Sequence, residues 1–426
     1  MTAEALGSVP GRREPGARLP LRPELAGVEP YGAPQLDVPV LLNVNENPYP
    51  PGPDVVAAVT HAVAGAAAGL NRYPDREATA LRAALARYLG HGLEADRIWA
   101  ANGSNEVMQH ILQAFGGPGR TAVSFAPTYS MYPEYARNTA TGWVVGRRRS
   151  DFHVDVESAT ALVHEYRPSV VLLASPNNPT GTALPLGTVR SLLDATGTAG
   201  GGVVVVDEAY AEFRREGTPS ALELLAGEPR LLVTRTMSKA FAAAGVRLGY
   251  VAAAPDVVDA LRVVRLPYHL SAVTQAAATA LLAHADVLLA RVDDLRAERD
   301  RLAGWLSGIG LPVAASDANF CLFGGLSDRH AVWEGLLRRG VLVRETGPDG
   351  WLRVSVGTPD DMAAFRAALT EVLAVERPRT RSPQSDRSSP TVGQTGEPGQ
   401  PGQTGQTGQT GQTEHPEPRP AGLEAT

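Results

Sequence analysis

The amino-acid sequence predicts an α/β protein in which a mostly parallel sheet is sandwiched by helices, followed by a smaller α+β domain. Two patterns carry that reading. Between Asn43 and about Ala374, short apolar or β-branched runs alternate with Ala- and Leu-rich helical stretches. A strand covered on both faces has no solvent side to mark, so it shows as an unbroken apolar run. Toward the C-terminus, Leu281, Leu288, Leu295 and Leu302 recur at sevens, backed by Arg, Asp and Glu. This predicts one long helix over 274–306 whose apolar stripe packs on a second layer.

Taken in order, residues 106–115 predict a helix, and the runs at 121–125, 170–174, 203–206, 231–233 and 250–253 predict buried strands of the large sheet. After the long helix, 319–324, 341–344 and 351–356 predict strands and 360–375 a closing helix. The implied organisation is a flexible arm over 1–30 and a large domain over 31–273, whose N-terminal segment also serves the small domain or dimer contacts. A long interdomain helix and small domain follow over 274–376, then a tail over 377–426. From about Pro378 large apolar side chains nearly vanish, and Gly recurs every third residue from Gly393 to Gly411. Proline is too sparse and the triplets too few for a collagen helix, so this tail is expected to be disordered.

Charge and composition exclude several functions. The 426 residues hold 45 acidic and 39 basic side chains, a net charge of -6. Such a chain repels a polyanion, and no basic tract with interleaved aromatics is present, so no nucleic-acid partner is expected. One cysteine, Cys321, excludes a disulfide scaffold or a thiolate zinc site, and the His residues stand at least eleven apart, so no metal is expected. Residues 1–23 lack the apolar core of an export signal, and no run approaches the roughly 18 apolar residues of a membrane helix. A cytoplasmic protein without a membrane partner is the expectation. Of the basic residues 38 are Arg and one is Lys, Lys239. A GC-rich coding bias accounts for the arginines but not for the one lysine that remains.

In open α/β sheets ligands gather beyond the carboxyl ends of strands. Three polar clusters fall there: Ser175 to Gly181 (Ser-Pro-Asn-Asn-Pro-Thr-Gly), Asp207-Glu208-Ala209-Tyr210, and Thr236-Met237-Ser238-Lys239. Each alone has an ordinary explanation as a turn, a helix cap or a solvated charge. Together they bring a carboxylate, a phenol, an amide and one amine to one rim, which is what a pyridine aldehyde cofactor requires. The amine forms a Schiff base, the carboxylate pairs with the protonated ring nitrogen, and phenol and amide bind the ring hydroxyl. Asn102-Gly103-Ser104-Asn105 before a helix offers a phosphate cradle, and Arg247 a bidentate guanidinium.

These segments resemble the fold-type I pyridoxal-phosphate aminotransferases and, within them, the histidinol-phosphate branch. The resemblance runs from about Tyr31 to Val375 and includes Asn43-Val44-Asn45-Glu46-Asn47-Pro48, Asn71-Arg72-Tyr73-Pro74, Pro127 to Tyr132, Arg235 to Arg247 and Leu352 to Thr358. It implies pyridoxal 5'-phosphate as cofactor and a catalytic set of Lys239, Asp207 and Tyr210. Ser104, Asn105, Thr236, Ser238 and Arg247 would hold the phosphate, Asn178 the ring hydroxyl, and Tyr129 would stack on the ring. Tyr73 would reach the phosphate of a neighbouring subunit, which implies a homodimer with shared sites. Arg353, with Arg344, Tyr31 and Asn47, would bind the substrate. The partners implied are a small-molecule amino donor and a 2-oxo acid, with transfer from histidinol phosphate to 2-oxoglutarate as the expected reaction. An aromatic amino acid aminotransferase, a threonine-phosphate decarboxylase and a non-catalytic cofactor-binding regulator are the alternatives.

Overall fold

A computed structural model describes residues 20–376. The expected tail over 377–426 and residues 1–19 of the expected arm lie outside the described residues. In chain order the elements are β1 (Val40–Leu42), α1 (Pro53–Ala67), α2 (Thr79–Leu89), β2 (Ile98–Ala101), α3 (Ser104–Phe115), β3 (Thr121–Ala126), α4 (Tyr132–Asn138), β4 (Gly142–Arg147), α5 (Val156–Tyr166), β5 (Val170–Ala174), α6 (Leu186–Thr198), β6 (Val203–Asp207), β7 (Leu231–Thr236) and β8 (Gly249–Ala252). There follow α7 (Pro255–Val264), α8 (Ala272–Ala283), α9 (Ala285–Gly308), β9 (Phe320–Phe323), α10 (Arg329–Leu337), β10 (Val341–Val343), β11 (Leu352–Ser355) and α11 (Pro359–Glu376).

Seven strands form the main sheet in the order β2-β8-β7-β6-β5-β3-β4. From β4 to β7 all neighbours are parallel, and β8 alone runs against its neighbours β7 and β2. The alternation of side chains along a strand sorts the core into two layers. Val171, Leu173, Val204 and Val206 pack with α2, α6 and α8 on one face, while Val170, Leu172, Val203 and Val205 pack with α3, α4 and α7 on the other. Both faces are covered, which is why β5, β6 and β7 are buried at every position.

Two short sheets of two strands each accompany the main one. β1 pairs parallel with β10, so an N-terminal strand is built into the C-terminal layer, and β9 pairs antiparallel with β11. Their core joins Leu42, Phe323, Val343 and Val354 to Leu302 and Leu306 of α9 and to Phe365 and Leu369 of α11.

The helix expected over 274–306 is two helices. α8 and α9 meet at a bend of 71°, where His284 leaves the helical region at φ -115 and ψ 24. All four heptad leucines are buried as their spacing demands, but in different places. Leu281 and Leu288 join the core of the large sheet, Leu295 packs with Phe213 and Phe320, and Leu302 enters the C-terminal core. A straight rod presents one stripe in one direction, whereas this stripe serves three cores. Strands β1, β2 and β4 also escape the sequence pattern. β4 is an edge strand with mixed exposure, so it has no apolar run to detect.

The rim where β6 and β7 end is tied by a buried ion pair. Arg235 Nη2 donates to Glu208 Oε2 at 2.7 Å, and Glu208 also accepts from Ser220 Oγ at 2.7 Å and from the Ala221 N–H at 2.7 Å. Burial opposes the charge on Arg235, but Glu208 and Glu212 more than reverse that and hold the guanidinium above its ordinary value. Removing one member of such a pair strands the other charge in the interior. We expect Glu208→Ala to lower stability by roughly 3–5 kcal/mol, and Glu208→Ala/Arg235→Met to lose less than the single change. Denaturant unfolding of both proteins measures the difference.

Candidate active site

The parallel strands deliver their carboxyl ends to one rim, and a cavity of ≈ 300 Å³ opens there. Asp207 is the last residue of β6 and Thr236 the last of β7, with Ser238 and Lys239 immediately beyond. Asn178 lies in the loop after β5, and Ser104 and Asn105 open α3 after β2. All seven line the cavity with Asn105's neighbour in space Tyr129, and with Tyr210, Arg247, Tyr31, Arg344 and Arg353.

Asp207 is buried, with Tyr132 Oη donating to Oδ2 at 3.1 Å and Thr234 Oγ1 to Oδ1 at 3.2 Å. Burial pushes its carboxyl up to about 6, against the pull of these two hydroxyls and the Ala209 N–H. No described residue forms an ion pair with it. A buried carboxylate held only by neutral donors suits a cationic ligand group. Tyr210 Oη accepts from Asn45 Nδ2 at 3.0 Å and from Asn178 Nδ2 at 3.5 Å, and its ring stands edge-on to Phe320.

Lys239 Nζ donates to the Val44 carbonyl at 2.8 Å and sits 6.0 Å from the Tyr210 ring centroid. Burial, and then the Arg353 charge, lower its ammonium to about 8. A sizeable neutral fraction near neutrality makes this amine a nucleophile and a proton carrier, which a guanidinium cannot be.

Beside the lysine lies an anion cradle. Gly103 caps α3 at φ +86, where a side chain would be strained, and a Cβ there would come within 2.8 Å of Arg247 Nη2. A Cβ on Gly249 of β8 would lie 2.0 Å from the Ser104 amide nitrogen. Two glycines therefore let three chain segments close around the helix start, where free N–H groups and the helix dipole favour a phosphate. Thr236 Oγ1 and Ser238 Oγ stand 2.9 Å apart at its edge. Asn105 Oδ1 accepts from Tyr135 Oη at 2.6 Å and from Tyr129 Oη at 3.4 Å. The Asn105 side chain thus fixes tyrosines while its backbone stays with the cradle.

On the opposite wall Arg353 Nη1 donates to Asn178 Oδ1 at 2.6 Å and Nη2 to the Asn43 carbonyl at 2.6 Å, while the buried Nε has no partner among the described residues. Burial draws its guanidinium down to about 10. Arg344, the residue after β10, is bound to it through two backbone hydrogen bonds of 3.0 Å. Among the described residues neither arginine pairs with a carboxylate, so the wall suits an anionic substrate group. Tyr31 Oη bonds to Ser130 Oγ at 2.8 Å across the mouth.

Two expected residues stand outside the cavity. Asn47 spends its side chain on Ala240 O and on the Tyr49 N–H, at 3.2 Å and 3.0 Å, beside Lys239 rather than in the pocket. Tyr73 is 79% exposed and stacks on Tyr268. Two residues that the sequence reading passed over belong to the site. Tyr132 holds Asp207, and Asn45, at φ 57, holds Tyr210 while Ser355 and Asn319 hold Asn45. Their partners lie 75 and 165 residues away in the chain, so the only local signal was a polar residue inside a matching motif.

Known proteins agree with this arrangement. Residues 38–369 match the family described as aminotransferase class I and II. The histidinol-phosphate aminotransferase of Thermobifida fusca is 65% identical over 351 residues, covering 82% of this chain and 95% of that protein. That of Paenarthrobacter aurescens is 60% identical, covering 84% and 95%. The crystal structure of histidinol-phosphate aminotransferase from Sinorhizobium meliloti in complex with pyridoxal-5'-phosphate superposes with a TM-score of 0.75 at 25% identity, covering 84% of this chain and 99% of that one. The sheet, the rim and the sequence all lead to one conclusion: the chain belongs to the class I and II aminotransferases.

Proposed function

We propose that the chain uses pyridoxal 5'-phosphate to transfer the amino group of L-histidinol phosphate to 2-oxoglutarate, giving imidazole acetol phosphate and L-glutamate, a step of histidine biosynthesis. The observation that carries this reading is one cavity holding the only lysine of the chain and, with no ion-pair partner among the described residues, a buried carboxylate and two arginines. The glycine-lined cradle and the unpaired charge of Asp207 fit the cofactor's phosphate and ring nitrogen. When bound, the cofactor supplies the electron sink that lets the substrate's amino carbon release its proton.

The residues of the chain prepare that chemistry. Lys239 Nζ supplies the amine and carries the proton. Asp207 keeps the ring nitrogen protonated, and Tyr132 and Thr234 keep Asp207 ionised and aimed. Tyr210 and Asn178 bind the ring hydroxyl, and Tyr129 covers the ring face. The Ser104 and Asn105 backbone, Thr236, Ser238 and Arg247 hold the phosphate. Arg353 and Arg344 take the anionic end of either substrate, with Tyr31 at the mouth.

The assembly in this reading is a homodimer in the cytoplasm. Support comes from exposed apolar side chains: Tyr73, stacked on Tyr268, and Leu266, two residues before Tyr268 in the chain, are 79% and 76% exposed, and association covers surface of this kind. Tyr73 would complete the phosphate site of the second subunit. Residues 31–273 would form the cofactor-binding domain and 274–376 the second domain, with β1 crossing to it.

Lys239→Ala should lower kcat by roughly 100- to 10,000-fold or more, and borohydride reduction of the wild-type holoenzyme should place the cofactor on Lys239 in a peptide map. An adduct on another residue would overturn the scheme. Side-by-side assays should show histidinol phosphate preferred over phenylalanine as donor to 2-oxoglutarate; the reverse preference would make the enzyme an aromatic aminotransferase, and carbon dioxide release from threonine phosphate a decarboxylase.

The ammonium of Lys239 sets a pH dependence. Its proton is lost as pH rises through about 8, so capture of cofactor by cofactor-free protein should speed up between pH 7 and 9. Arg353→Met removes a repelling charge and should move that midpoint upward. Stopped-flow absorbance across pH for both proteins tests this, and an unmoved midpoint would remove Arg353 from the control of the amine.

A further inference from the structure

Glu46 lines the same cavity as Lys239, Arg344 and Arg353, and it and Asp207 are the two carboxylates on the cavity wall. Unlike Asp207 it is exposed, and among the described residues its side chain makes no ion pair and no hydrogen bond. Its backbone, by contrast, is fixed on both sides. The Val44 carbonyl accepts from Lys239, and Asn45 is held by Ser355, Tyr210 and Asn319. Asn47 is bound to Ala240 and Tyr49. A charge carried by a rigid segment into a binding cavity, with no partner among the described residues, is arranged for a ligand.

The chemistry of the two substrates separates what that ligand is. Both carry an anionic end for Arg353 and Arg344. Histidinol phosphate also carries an imidazole with an N–H to donate, whereas the far end of glutamate is a second carboxylate that Glu46 repels. We propose that the Glu46 carboxylate accepts a hydrogen bond from the imidazole N–H of the phosphorylated amino donor and so sets donor specificity. This rests on the reading of histidinol phosphate as the substrate. A purely electrostatic role toward Lys239, whose charge Glu46 favours against Arg353 and Arg247, would act on every amino donor alike.

The test compares wild-type and Glu46→Gln holoenzymes, with histidinol phosphate and glutamate each measured as donor in single-turnover half-reactions. Loss of a charge-assisted hydrogen bond predicts that the ratio of kcat/KM for histidinol phosphate to that for glutamate falls by roughly 10- to 100-fold, chiefly through KM, with the unfolding temperature unmoved. An unchanged ratio, whether both rates persist or both fall together, overturns the proposal while leaving the substrate reading intact. Failure of the wild-type enzyme to use histidinol phosphate overturns both.

Discussion

Everything at the catalytic rim depends on how two adjacent carboxylates at the end of β6 are held. Residues 207 and 208 point to opposite faces because strand side chains alternate. Glu208 turns to the side where Arg235, Ser220 and the Ala221 N–H meet it, and it stays a charge that ties β6 to β7. Asp207 turns to the cavity, meets only neutral donors, the hydroxyls of Tyr132 and Thr234 and the Ala209 N–H, and burial raises its proton affinity. One side chain is a structural anion because a cation was buried with it. Its neighbour has no cation among the described residues and is left open to a ligand. The clamp also fixes the register of the strand ends that carry Asp207 and Thr236, and through Thr236 the turn that carries Lys239.

The same logic, with the sign reversed, governs the cations. On a chain of net charge -6, Lys239, Arg247, Arg344 and Arg353 converge on one cavity, and no described carboxylate pairs with the three arginines or with the lysine. Their mutual repulsion is tolerated because packing and backbone carbonyls hold them: Val44 O for the lysine, Asn43 O for Arg353, Ala244 O for Arg247. A site charged in advance needs little rearrangement when an anionic cofactor or substrate arrives. Added to burial, the Arg353 and Arg247 charges also lower the lysine's hold on its proton, which suits the amine to act as a nucleophile.

Much of this was legible before any coordinates. The strands at 170–174, 203–206 and 231–233 show because both faces are buried, and the polar residues that follow them must then share a rim. Asp207, Tyr210, Asn178 and Lys239 were therefore locatable from position alone. Asn45, Tyr132 and Tyr135 were not, since each matters through a hydrogen bond to a residue in another element. The break at His284 was hidden for a related reason. Heptad spacing tells which leucines are buried but not against what, and here Leu281, Leu295 and Leu302 are buried against three different cores.

By itself the sequence determined the layer architecture and the chemical groups of the site, because periodicity and residue type are local properties of the chain. It also singled out the lysine, since only one exists. Tertiary structure alone decided what those groups became. Whether a carboxylate binds a protein cation or waits for a ligand, whether an amine near Arg353 keeps its proton, and whether Glu46 faces a cavity are set by burial and by neighbours far away in the chain. Those neighbours are chosen by packing, and packing is not written in any single segment.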